Sequence, residues 1–188
     1  MRTTYLFAAE TAKLARAALK CAFPGVKFSV RSKTYSGGAS IDVGWTDGPT
    51  TKMVEAVAKQ FQGGDFDGMI DLKVGVAHWL LPDGTTAIAS NPGTKDSGGS
   101  IPAEREWMPH PEAKLVSFGA DHVFCTRKLS PAFERQLLAR LARKGFAEAA
   151  SVESMQDAHR IYPAGGCVDL ATLAYREAQR LVIARPSA

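Results

Sequence analysis

Apolar and polar positions along the chain change period several times, and each change marks an element. Residues 8–22 (AAETAKLARAALKCA) are Ala-rich, with Leu14, Ala18, Cys21 and Ala22 at helical spacing. Pro24-Gly25 ends that helix. Val26–Arg31 then alternates strictly. Val26, Phe28 and Val30 face one way and Lys27, Ser29 and Arg31 the other, the pattern of a half-buried strand. Ser40–Thr46 alternates again, with Ile41, Val43 and Trp45 inward. The intervening Tyr35-Ser36-Gly37-Gly38 predicts an antiparallel hairpin whose connection exceeds the two-residue minimum. Asp47-Gly48-Pro49-Thr50 opens a second helix, capped by Thr50 or Asp47. Its apolar stripe is Met53, Val54, Val57, Ala58 and Phe61, and Gly63-Gly64 stops it. The order so far is α-β-β-α, followed by GDFDGMIDLKV, a turn into a short strand.

The second half is less regular. Residues 82–106 are rich in Gly, Ser, Thr, Asn and Pro and read as a long loop or a hairpin with a mobile tip. Leu115–Cys125 is apolar around a central Gly-Ala-Asp, which predicts two short strands or one broken one. Ser130-Pro131 starts a helix, since Ser caps well and Pro fits the first helical position, and Gly145 ends it. A short helix over 151–159, a turn at Pro163-Ala164-Gly165-Gly166 and a final helix over Asp169–Ile183 complete the reading. Leu170, Leu173, Ala174 and Leu181 face inward on that last helix. The predicted class is α+β: an α-β-β-α domain over residues 1–80 with an antiparallel sheet, and an α/β extension over 81–188 packing on the same body.

Composition narrows this little. At 45% hydrophobic and 22% charged, the chain is an ordinary globular one, neither disordered nor membrane-like. The three cysteines, Cys21, Cys125 and Cys167, are odd in number and widely spaced, which argues against a disulfide framework and points to a reducing cytoplasmic compartment. Glu10, Lys13, Arg16 and Lys20 interrupt Thr4–Phe23, so that segment reads as an amphipathic helix rather than a leader or a span, and no membrane partner is expected.

Charge says more, because it is uneven. Residues 1–35 carry seven Lys or Arg against one acid, within a chain of net charge +4. Lys13, Arg16 and Lys20 share a helix face, and Lys27, Arg31, Lys33, Tyr35 and Ser36 sit on or near one outward hairpin face. Cations interleaved with an aromatic suit a surface that tracks a phosphate backbone and stacks on bases. A solvated sheet face has the same composition. A second cluster, Arg140, Arg143 and Lys144, lies at a helix C-terminus, where cations also complement the helix dipole.

Catalytic and metal chemistry finds few supports. Asp96-Ser97-Gly98-Gly99 mimics a serine-nucleophile loop, but His78 and Asp83 precede it closely and a triad is defined by geometry. His122 and Cys125 fall on opposite faces of any strand that holds them, and Cys21, Cys167, His110 and His159 are scattered, so no metal site is expected. Asp65, Asp67 and Asp71 lack the closing Glu of a calcium loop, and a turn with Asx capping suits them better. There is no Walker loop and no GxGxxG, hence no expected cofactor.

The run AETAKLARAALKCAFPGVKFSVRSKTYSGGASIDVGWTDGPT, followed by VEAVAKQFQGGDFDGMIDLK, resembles a known family. The pieces FPGVKFSVRS, SIDV, WTDGP and GGDFDGMID carry the likeness over residues 8–75, about a third of the chain, and HVFCTRKLS extends it loosely. The family is the large polyvalent-protein-associated domain that is twenty-ninth in its series. The resemblance implies a protein of a phage or conjugative element, acting in the cytoplasm of a bacterial host. It further implies a non-enzymatic counter-defence role, such as an anti-CRISPR or anti-restriction inhibitor that contacts a host defence complex, nucleic acid or both. Two alternatives stand beside it: a DNA- or RNA-binding accessory protein of the element, and a cryptic hydrolase using a Cys–His or Ser–His pair.

Overall fold

The computed structural model describes residues 2–90, 108–164 and 166–181. The loop motif Asp96-Ser97-Gly98-Gly99 lies outside them. The chain has the expected mixed α+β class and divides into two compact units, residues 1–44 with 54–126, and residues 45–53 with 127–188.

In the first unit, strand β1 (Thr4–Leu6) precedes helix α1 (Ala8–Ala22), so the amphipathic segment begins as a strand. Glu10 accepts a hydrogen bond from the free Phe7 N–H at 2.9 Å, satisfying one orphan donor of the helix start. The buried stripe of α1 is Ala8, Thr11, Ala12, Ala15 and Leu19, rotated from the expected one; Cys21 and Ala22 are exposed. Strand β2 (Ser29–Tyr35) and strand β3 (Gly38–Thr46) pair antiparallel, with Val30 opposite Val43 and Tyr35 opposite Gly38. The strand thus starts three residues later than the alternation suggested. The connection is only Ser36-Gly37, shorter than expected, because Gly37 takes φ +86° and closes the turn in two residues. Helix α2 (Thr51–Ala58) begins with Thr50 Oγ1 accepting from Met53 N–H at 3.4 Å. Val54, Ala58 and Phe61 are buried as expected, but Met53 is exposed.

Strands β4 (Gly64–Asp67) and β5 (Leu72–Gly75) form a small hairpin in which Asp67 Oδ1 accepts from Met69 N–H at 2.9 Å, the expected Asx turn. Strands β6 (Ala77–Leu80), β7 (Thr86–Ser90) and β8 (Lys114–Phe118) join β1 in a four-stranded sheet of order β1-β8-β6-β7. The part of the Gly/Ser-rich stretch before residue 91 is therefore a hairpin with β7 as its second strand. One face of this sheet places Val116 and Phe118 against Ala15 of α1 and Phe61. The other buries Trp79 with Ala89 and Ala113. His78, next to Trp79, is buried with its ring 5.0 Å from that of Phe118, and its Nδ1 has no hydrogen-bond partner among the described residues.

Strand β9 (His122–Lys128) completes a second sheet, order β2-β3-β9. Asp121 N–H donates to Ala39 O and Asp47 N–H to Lys128 O, both at 2.8 Å, so β9 runs in the same direction as β3. The break before β9 is the Gly-Ala-Asp read in the sequence.

The second unit is mainly helical. Helix α3 (Pro131–Arg143) starts with Ser130 Oγ accepting from Phe133 N–H at 3.2 Å and ends before Gly145 at φ +102°. A 3-10 turn over Ala147–Ser151, helix α4 (Met155–Ala158) and helix α5 (Leu170–Ala178) pack with it around Phe133, Leu137, Leu141, Met155 and Leu170. The Arg127 guanidinium donates to the carbonyls of Asp47, Gly48 and Ala178 and lies over the Phe133 ring at 5.2 Å. It holds the Asp47-Gly48 turn, both of whose residues have positive φ. No helix among the described residues is long and apolar enough to cross a membrane.

Candidate nucleic-acid interface

Strand β2 is an edge strand, and from Arg31 onward both of its faces are exposed. Period-two alternation sends Arg31, Lys33 and Tyr35 to one side. Their cross-strand partners on β3 are Asp42, Ser40 and Gly38. The opposite side carries Val30, with Ala39, Ile41 and Val43 of β3 buried beneath it. The sheet therefore has a packed inner face and an outer face that is exposed along Arg31, Lys33, Tyr35 and Asp42, while Ser40 is buried and the Asp121 carboxylate covers Gly38.

Helix α1 borders the free edge. Arg16 Nη2 donates to the Val30 carbonyl at 2.7 Å. That carbonyl belongs to the row an edge strand leaves unpaired, so Arg16 both caps the edge and fixes the α1 cations beside it. Lys13 and Lys20 flank Arg16 on the same helix face and are exposed; Lys27, in the segment entering β2, is exposed too. Lys13, Arg16, Lys20, Lys27, Arg31, Lys33 and Tyr35 thus gather around one strand, on its edge and its outer face.

The two predicted basic clusters differ in what their charges already hold. Among the described residues, Lys13, Lys20, Lys27, Arg31 and Lys33 have no carboxylate within ion-pair distance. Arg140 and Lys144 instead clasp the buried Glu177 from two sides, Nε to Oε1 at 2.5 Å and Nζ to Oε2 at 2.7 Å. The Lys144 and Arg140 hydrogen bonds hold the Glu177 carboxyl below the usual range. Arg143 donates weakly to the Ala139 carbonyl at 3.4 Å. Glu177 escaped the sequence reading because a lone Glu on an amphipathic helix carries no signal of burial.

The sequence reading also missed two residues of the open face. On β9, Val123 is buried, so alternation turns His122 and Phe124 the other way. The Phe124 side chain is 53% exposed, and its ring lies 5.8 Å from that of His122. The outer face thus has a basic strand with Tyr35 on one side, the small Gly38, Ser40 and Gly44 with Asp42 in the middle, and a His–Phe pair on the other. No sequence signal linked Phe124 to Arg31, since pairing across about eighty intervening residues leaves no local periodicity.

His122 and Cys125 do lie on opposite faces of β9. Burial pushes the Cys125 thiol up to about 11, with Glu55 adding to the effect, so it is protonated at neutral pH and a poor nucleophile. No group of three metal-ligating side chains converges among the described residues.

No curated protein and no solved structure matches the chain. A family model does match, over residues 6–130, from β1 to the cap of α3 and well beyond the span legible in the motifs. The family is associated with the polyvalent proteins of phages and other mobile elements. With about two thirds of its length under that match, the chain belongs to the large polyvalent protein associated domain 29 family.

Proposed function

We propose that this chain is a non-catalytic binding module of a mobile element, and that the α1–β2 cations contact nucleic acid through its phosphates. The observation that carries the reading is the set of five Lys and Arg side chains around β2 that, among the described residues, have no carboxylate within ion-pair distance, while Arg140 and Lys144 of the rival cluster are engaged by Glu177. A folded domain gains little stability from such exposed charges. Their use lies in drawing in a polyanion and in releasing its counterions. We extend the reading to counter-defence, a role that would suit a nucleic-acid-binding module carried by a mobile element. An anti-CRISPR or anti-restriction module of this kind would hold nucleic acid that a host defence complex must reach.

The test is a titration of a labelled oligonucleotide with the wild type and with Arg31→Glu/Lys33→Glu, at low and high salt. The wild type is expected to bind and to weaken steeply with salt. The double variant should fold as well as the wild type, because both side chains are exposed, yet bind at least tenfold more weakly at low salt. Equal affinities of the two proteins at low salt would refute the assignment.

A further inference from the structure

We infer that the outer face of the β2-β3-β9 sheet is a base-stacking platform that selects single-stranded over duplex nucleic acid, an inference that rests on the nucleic-acid reading above. Phosphate contacts alone do not distinguish the two forms. The aromatic groups on this face do.

Tyr35 on β2 is 43% exposed and Phe124 on β9 is 53% exposed. Single exposed aromatics are common on protein surfaces and carry no meaning alone. These two share one sheet face, flanking a central strand whose outward residues are Gly38, Ser40, Asp42 and Gly44. The strip between them is not bare: the Asp121 carboxylate fills the space over Gly38 and pairs with Lys73 at 2.9 Å, and Ser40 is buried, so the surface offered to a base is the exposed part of each ring itself. Strand spacing of ~4.8 Å sets the β2 and β9 rows about 10 Å apart. His122 packs beside Phe124 with the ring planes 34° apart, which widens that end of the platform.

The polar groups on the face suit the same ligand. Arg31 and Lys33 alternate with Tyr35 toward the β2 side, where a backbone crossing the sheet would place its phosphates. Asp42 stands across from Arg31. Its carboxylate repels phosphate but accepts hydrogen bonds from exocyclic amino groups, which only a base outside a duplex offers along its pairing edge. A duplex keeps its bases stacked inside and would meet this flat face with phosphates only. It would leave the two aromatic rings uncovered and bring a phosphate toward Asp42.

Three probes of equal length separate stacking from charge: a mixed-sequence single strand, its duplex, and an abasic single strand that keeps the phosphates. Fluorescence anisotropy is read for the wild type, Phe124→Ala, Phe124→Tyr and Tyr35→Ala. The wild type is expected to bind the single strand about tenfold or more tighter than the abasic strand, because only the former has bases to stack on the rings. It should also prefer the single strand to the duplex. Phe124→Ala should remove most of the advantage over the abasic strand and leave abasic binding unchanged, with Tyr35→Ala acting in the same direction and Phe124→Tyr retaining the advantage. Equal, salt-sensitive binding of the single and abasic strands by the wild type would overturn the platform and leave the phosphate reading standing. A preference for duplex, or a uniform loss on all three probes in Phe124→Ala, would overturn it as well. Absence of binding to every probe would overturn both readings.

Discussion

Acidification offers a direct test of the packing around His78. The imidazole is 4% exposed, lies against Phe118, and leaves Nδ1 unpartnered among the described residues. Burial drives its pKa from the usual 6.5 down to about 4, outweighing a hydrogen bond to the Val76 backbone. The folded state therefore holds His78 neutral at pH values where the unfolded chain takes up a proton. Stability from this site is complete above 6.5 and is lost as the pH falls from there toward 4. Linkage between those two values gives a loss of about 2 kcal/mol on going from pH 7 to pH 5, approaching about 3 kcal/mol below pH 4. For a chain of this size, about 2 kcal/mol corresponds to a fall in Tm of roughly 4–8 °C. His78→Leu removes both the titrating group and the unsatisfied nitrogen while filling a similar volume. At pH 7 it should match or exceed the wild type in stability, since an apolar replacement of an unsatisfied polar group is near neutral or better. The assay is calorimetric melting of both proteins from pH 7 to pH 5, with the difference between the two curves isolating this site from every other titrating group. Parallel curves would refute the reasoning, as would an NMR titration placing the folded His78 near 6.5.

Two further outcomes follow from burial. Trp45 is 3% exposed and its Nε1 donates to the Pro49 carbonyl at 2.9 Å, so Trp45→Ala should cost about 3–5 kcal/mol in urea unfolding, whereas a midpoint equal to that of the wild type would show the ring to be dispensable. Cys21 and Cys167 are exposed while Cys125 is partly buried with its thiol pushed up to about 11, so iodoacetamide at neutral pH should label the first two well before the third, as read by mass spectrometry; Cys125→Ala should correspondingly leave nucleic-acid binding intact.

What the sequence determined by itself is what short-range physics controls. Ser130-Pro131 and Gly145 bracket α3 because a side-chain cap, a preset φ and a left-handed residue act within a turn of the chain. The inward set Ile41, Val43 and Trp45 follows from period-two alternation, and the Lys13, Arg16 and Lys20 face from the helical period. The family was legible as well, because its distinctive pieces lie in these local elements. The tertiary structure decided what lies beside what. Alternation assigns each strand two faces but not a neighbour. Nothing local tells β9 to pair with β3, or β1 with β8, and each of these same-direction pairings joins residues far apart in the chain. The burial of Val123 on the inner face turned Phe124 toward Tyr35, and the burial of Glu177 occupied Arg140 and Lys144. Met53 fitted the helical stripe of α2 yet ended exposed, because a stripe becomes core only where another element covers it. The basic half of the proposed interface was thus written in one continuous stretch of sequence. Its aromatic half exists only because two sheet edges about ninety residues apart in the chain bury their apolar sides on the same face.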